Sequence, residues 1–183
     1  MDTKTKLVTY DDYQNLPDDG NRYEIMGGEL FMTPAPSTNH QRISRKLLIA
    51  LNNYVEREGI GEVFDAPIDV VLSMTDVVQP DLLFVSKERE HIITKKNIVA
   101  APDLVAEIIS EHTETIDRTR KKDLYAQYGV KEYWLVYPEE KQIERYTLAG
   151  EAFELTGTIA GQDSLTSEIM DGFSIQLDEI FGG

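Results

Sequence analysis

The chain has 183 residues, 41% of them hydrophobic, which suits one domain with a sizeable core and argues against a disordered polypeptide. Its 33 acidic residues against 18 basic ones give a formal charge of -15, a field that taken globally repels nucleic acid and anionic membranes. Cysteine is absent, which excludes disulfides and thiolate zinc sites; no run is long enough to span a bilayer, the first ten residues lack a signal peptide's apolar core, and the expected setting is the cytoplasm.

The charge is unevenly spread. Three short segments hold 11 of the 18 cations: Arg42, Arg45 and Lys46; Lys87, Arg89, Lys95 and Lys96; Arg118, Arg120, Lys121 and Lys122. No Lys or Arg follows Tyr146. Each cluster reads either as a solvated helix face or as a local basic surface on an acidic protein.

Thr9 can cap a short helix over T-Y-D-D-Y-Q-N-L, ended by Pro17 and the Asp-Asp-Gly-Asn turn. R-Y-E-I-M, Gly27-Gly28 and E-L-F-M then make a two-residue hairpin signal. In that register Tyr23, Ile25, Leu30 and Met32 share one face while Glu24 and Glu29 share the other, where a solvated Glu24 is the plain reading. Ser37 or Thr38 is the expected cap of a long helix over about 39–58, with Ile43, Leu47, Leu51 and Tyr54 as its apolar stripe and Gly59 at its end. His40 sits one turn before that stripe, where a packed or capping histidine competes with a catalytic one.

Strands are expected at 62–72 and 79–85 with a turn at 74–77, then a polar stretch over 87–99. A strand carrying Glu107 follows (P-D-L-V-A-E-I-I-S), then a helix over about 115–128 closed by Gly129. A strand at 132–137, a turn, a partner strand at 142–148 and peripheral strands complete the chain. The order helix, three strands, helix, strand predicts a single α/β domain over 1–183, with a mixed sheet, added N- and C-terminal hairpins and a core at about 38–148.

Two strands in this plan carry a carboxylate inside nearly continuous apolar runs: Asp81 in Q-P-D-L-L-F-V-S and Glu107. An ionised carboxylate there is costly unless something positive meets it. The following helix supplies four cations in five residues, and Asp117, Lys121, Leu124, Tyr125 and Tyr128 recur on one of its faces. If Leu124 and Tyr128 pack on the sheet, Lys121 points at the acids, as a buried ion-pair partner or as a catalytic group.

The segments Y-E-I-M-G-G-E-L, Q-P-D-L-L-F-V, P-D-L-V-A-E-I-I-S, D-R-T-R-K-K-D-L-Y and G-V-K-E-Y-W-L-V-Y, in this order, resemble the Uma-two family of restriction-endonuclease-like proteins. That family lies within the PD-(D/E)XK nuclease-like superfamily, and the likeness runs from about Thr9 to Phe181. The resemblance implies a restriction-endonuclease-like core and maps Pro80-Asp81 and Glu107 onto the superfamily acids. The lysine normally two residues after the second acid is replaced by Ile109, and the family's helix motif offers Asp117, Lys121 and Tyr125 instead. Glu24 matches the family's upstream glutamate.

The implied chemistry is phosphodiester hydrolysis assisted by Mg²⁺, or by Mn²⁺, held by Asp81 and Glu107, with Lys121 and Glu24 completing the catalytic set. His40, Arg118, Arg120 and Lys122 are the expected substrate contacts. The expected partner is nucleic acid, DNA before RNA, weakly bound, with a homodimer by analogy. A catalytically inactive nuclease-fold protein serving as a binding or assembly module is the alternative, favoured by the net charge and by Ile109.

Overall fold

Thr9 caps the first helix, α1 (Tyr10–Tyr13): its hydroxyl accepts from Asp12 N while the Asp12 carboxylate accepts from Thr9 N. The computed structural model describes residues 7–17 and 19–182, so Asp18 of the expected turn lies outside the described residues. Gly27 and Gly28, at φ 60° and 75°, close the turn between β1 (Arg22–Met26) and β2 (Glu29–Thr33). Tyr23 opposes Met32 and Ile25 opposes Leu30, the register expected from the alternation.

Ser37 caps α2 (Thr38–Glu58) by accepting from His40 N, and Gly59 ends it in the left-handed region. Its stripe of Ile43, Leu47, Leu51, Tyr54 and Val55 is buried. Beyond it the expected long strand divides. β3 (Gly61–Asp65) and β4 (Val70–Ser73) join different sheets, separated by Ala66-Pro67, where proline cannot donate to a ladder. The expected turn at 74–77 extends only to Thr75, and Asp76 begins β5 (Asp76–Val78). Gln79, Pro80 and Asp81 then lie outside regular structure before β6 (Leu82–Ser86).

A 3₁₀ turn (Lys87–Ile92) and β7 (Ile98–Val99) lead to β8 (Leu104–Ile108). The next helix, α3, has three consecutive parts, Glu114–Ile116, a π-helical turn Asp117–Lys121, and Lys122–Gln127. Four strands follow: β9 (Glu132–Tyr137), β10 (Gln142–Ala149), β11 (Ala152–Ala160) and β12 (Ser164–Thr166). β13 (Ser174–Gln176) and α4 (Leu177–Phe181) complete the order.

The main sheet runs β11-β10-β9-β8-β6-β3, antiparallel throughout except for the parallel β8–β9 pair. Its heart is therefore helix α2, strands β3, β6 and β8, helix α3 and strand β9, the mixed α/β core of a restriction-endonuclease-like fold. A smaller sheet, β2-β1-β5-β4-β7, carries the N-terminal hairpin, and β12–β13 forms a C-terminal one. The expectation of added hairpins is met, with a second sheet that periodicity did not reveal.

Strand alternation divides the core. Leu104, Ala106 and Ile108 of β8 pack with α2, α4 and the C-terminal hairpin. Val105 and Ile109 face the opposite side, with Leu124 and Tyr125 of α3, and Glu107 shares that face. Among the described residues no helix is long and apolar enough to cross a membrane.

Gly61 illustrates how tightly β3 meets β6. It has φ 154°, and a Cβ there would collide with the Val85 carbonyl oxygen and the Phe84 ring. Gly61→Ala is expected to cost at least about 2 kcal/mol in urea unfolding. Gly161→Ala, also left-handed but open to solvent, should cost only about 1 kcal/mol; equal losses would refute a steric origin.

Candidate active site

The main sheet and two helices contribute polar side chains to a cleft of about 330 Å³. Asp81 enters just before β6, Glu107 from β8, His40 from the first turn of α2 and Lys121 from α3. Glu24 reaches the same cluster from β1. Glu24, Asp81, Glu107, Asp117 and Lys121 are all buried.

Lys121 is the centre of this arrangement. Its Nζ lies 3.0 Å from Glu24 Oε1, 3.0 Å from Glu107 Oε1 and 3.5 Å from Asp117 Oδ1. The π-helical turn starts at Asp117 and ends at Lys121, setting both side chains on the inward face. Glu107 Oε1 also accepts from the Tyr125 hydroxyl at 2.8 Å, and its Oε2 is 3.4 Å from Asp81 N. Glu24 accepts from Gln79 N at 2.7 Å and from the Thr33 hydroxyl at 3.3 Å. Asp81 Oδ2 accepts from Ile108 N at 2.8 Å and lies 3.0 Å from His40 Nε2.

The charge balance is one-sided. Four buried carboxylates surround one lysine and one histidine. Burial pushes the Glu107 carboxyl well above the usual carboxylate range; Lys121 opposes the shift, and the charges of Asp117, Asp81 and Glu24 add to it. Burial likewise raises Asp117 against the pull of Lys121. Burial alone would discharge Lys121, but Glu107, Glu24, Asp117 and Asp81 outweigh it and hold the ammonium protonated far above its ordinary range. Tyr125 is raised by burial and then by Glu107, so its hydroxyl remains a donor.

Two buried polar atoms here, His40 Nδ1 and Asp117 Oδ1, have no hydrogen-bond partner among the described residues. Together with the surplus of carboxylates, they mark a place that accommodates a further cation and its water. Among the described residues no group of three or more His, Cys, Asp or Glu side chains is arranged as a complete metal cage. Asp81 and Glu107 are the side chains that could hold an ion which takes only one or two carboxylates and keeps several waters.

Of the residues singled out from the sequence, Asp81, Glu107, Lys121, Glu24 and His40 come together. Arg118, Arg120 and Lys122 do not line the cleft. Arg118 pairs with Glu114 and lies over the Tyr137 ring, Arg120 pairs with Glu29 over Phe31, and Lys122 sits 3.9 Å from the Tyr146 ring centroid. Asp117 and Tyr125 belong to the cluster through the stripe that carries Lys121. Gln79, beside Pro80, had an adjacency signal; Arg22 and His112, which also line the cleft, had none.

A core of helix, three strands, helix and strand, with acids at the start of β6 and on β8, defines a restriction-endonuclease-like protein. More particularly, the chain belongs to the Uma2 family, whose model, described as "Putative restriction endonuclease", matches residues 10–178. It is 25% identical over 164 residues to the uncharacterized protein slr1290 of Synechocystis sp. (strain ATCC 27184 / PCC 6803 / Kazusa), covering 88% of this chain and 84% of that one. The crystal structure of a "putative nuclease belonging to DUF820" from Anabaena variabilis ATCC 29413 superposes with TM-score 0.80 at 19% identity, over 95% of this chain and 97% of that one. That likeness shows the fold.

The raised carboxyl of Glu107 has a thermodynamic consequence. A group whose folded-state pKa exceeds its unfolded value contributes stability present below the unfolded pKa and lost as pH rises through the folded one. With EDTA present, the parent should therefore lose melting temperature relative to Glu107→Gln as pH rises from about 4.5 through the raised folded value. A parent that gains on the variant over that range would show Glu107 to be a net favourable ion-pair partner.

Proposed function

We propose that this protein is a metal-dependent endodeoxyribonuclease whose working unit is the whole chain, with its core at about 38–148. The observation that carries the reading is the buried convergence of Asp81, Glu107 and Lys121, in which carboxylates outnumber the ammonium that meets them. Asp81 and Glu107 would hold Mg²⁺ or Mn²⁺, and the ion would supply acidification of a bound water and charge screening at the phosphate.

The chain's own groups have separable roles in this reading. Ile108 N and His40 Nε2 fix Asp81 Oδ2, and Tyr125 with Lys121 fixes Glu107 Oε1, so neither carboxylate must reorganise when substrate arrives. Lys121 keeps its proton and serves as a fixed positive charge toward a developing phosphorane, replacing the lysine absent at position 109. Glu24 also holds the ammonium, at 3.0 Å. Two copies acting on the two strands of a duplex are the assembly that goes with such an activity. The alternative, a binding module without catalysis, draws support from how fully Lys121 is engaged by carboxylates.

Lys121→Ala, assayed in single turnover with saturating Mn²⁺ to offset the lost charge, should cleave a labelled duplex ~10²–10³-fold more slowly than the parent while still binding metal. Lys122→Ala, whose ammonium lies over Tyr146, should cleave at nearly the parental rate. Equal rates for Lys121→Ala and the parent would remove the displaced-lysine mechanism. A parent inactive on DNA with both ions would favour the module.

A further inference from the structure

Five of the eight arginines are met by a carboxylate: Arg57 by Glu58, Arg89 by Asp103, Arg118 by Glu114, Arg120 by Glu29 and Arg145 by Glu168. Among the described residues, Arg22, Arg42 and Arg45 have no ion pair and no side-chain hydrogen bond. In a chain with 33 acids and 18 bases, an arginine without an acid partner is a departure from the rest. Two of these three stand at the site. Arg22, half-buried at the start of β1, borders the catalytic cleft. Arg22 and Arg45 together wall an adjoining hollow of about 300 Å³ that reaches His40 and Asp81 from the α2 side. Arg42 and Arg45 are both exposed, but Arg42 walls neither space.

Arg22, half-buried, has surrendered part of its hydration with no carboxylate to compensate it; an anion arriving with substrate would. The cluster of four buried carboxylates around one lysine repels a phosphodiester on approach, so cations are needed beside it. The hollow meets that need. It shares His40 and Asp81 with the cleft but includes neither Glu107 nor Lys121, and Asp65 is the other acid on its wall. The Asp81–His40 pair is common to both spaces.

We propose that Arg22 and Arg45 bind a backbone phosphate neighbouring the scissile one, so that the substrate strand enters over α2, passes the Asp81–His40 pair and presents its next phosphodiester to Lys121. The forked guanidinium of Arg22, shared by both spaces, is the hinge of this path. This rests on the nuclease reading above and names the residues that position its substrate. The two arginines act in binding, equally in the ground and transition states.

The test is steady-state cleavage of a labelled oligonucleotide in Mn²⁺ by the parent and by Arg22→Ala, Arg45→Ala and Arg42→Ala, repeated over a salt series. Arg22→Ala should raise KM about tenfold and Arg45→Ala several-fold, with kcat within about twofold of the parent and Arg42→Ala unchanged, as loss of uniform binding requires. Each effective substitution should lower the slope of log affinity against log salt by about 1. Arg22→Lys should fall between parent and alanine variant, and with Arg45→Ala it decides the matter if Arg22→Ala fails to fold. A cleaving parent whose two variants keep the parental KM, or lose kcat at unchanged KM, overturns this proposal and leaves the nuclease reading standing. A parent that neither binds nor cleaves nucleic acid overturns both.

Discussion

A single buried ammonium makes the site possible. Lys121 joins Glu24 of the smaller sheet, Glu107 of the main sheet and Asp117 of its own helix, three elements that otherwise present like charges to one another. Like charges at close range in a medium poorer than water repel strongly, and each carboxylate has also given up hydration. Burial first, and then the neighbouring carboxylates, displace Glu107 and Asp117 upward even with Lys121 in contact. The site is assembled with more carboxylates than cations, a deficit that protonation of Glu107 or a bound cation would lessen.

Position 109 is occupied by core packing. Ile109 follows Glu107 by two positions and belongs to the same buried cluster as Leu124, Tyr125 and Tyr137. A lysine there would have to share space that apolar side chains fill. Lys121 delivers its ammonium to the same carboxylate from the helix packed on that face, and the π-helical turn brings Asp117 along with it. Two acids and a lysine far apart in the chain thus meet in one cluster. The unpartnered arginines at the rim fit the same electrostatic picture, because an acidic cleft in an acidic protein would need local cations to admit an anion.

Much of this was legible in the sequence for physical reasons. Asp81 and Glu107 stood out because carboxylates in continuous apolar runs are costly, and Lys121 because three- and four-residue spacing aligned it with Leu124. Glu24 was harder. Alternation correctly put it on one face with Glu29, but could not tell that β1 lies against the main core while Glu29 is exposed at the hairpin end. The cation cluster at 118–122 read as one surface, yet a helix offers only one face to a site, and the remaining cations are held by Glu114, Glu29 and aromatic rings. The run at 62–72 read as one strand because hydrophobic pattern carries no mark for a change of sheet. Arg22 was invisible, since what distinguishes it is the lack of a partner, a property of the folded arrangement.

The central claim is that the carboxylate surplus around Lys121 binds a divalent cation at Asp81 and Glu107. Isothermal titration of the EDTA-treated protein with Mn²⁺ tests it most directly. The account predicts one site per chain, saturating below millimolar concentration and lost in Asp81→Asn although that variant stays folded. No binding by the parent at millimolar Mn²⁺, or equal binding by Asp81→Asn, would contradict it.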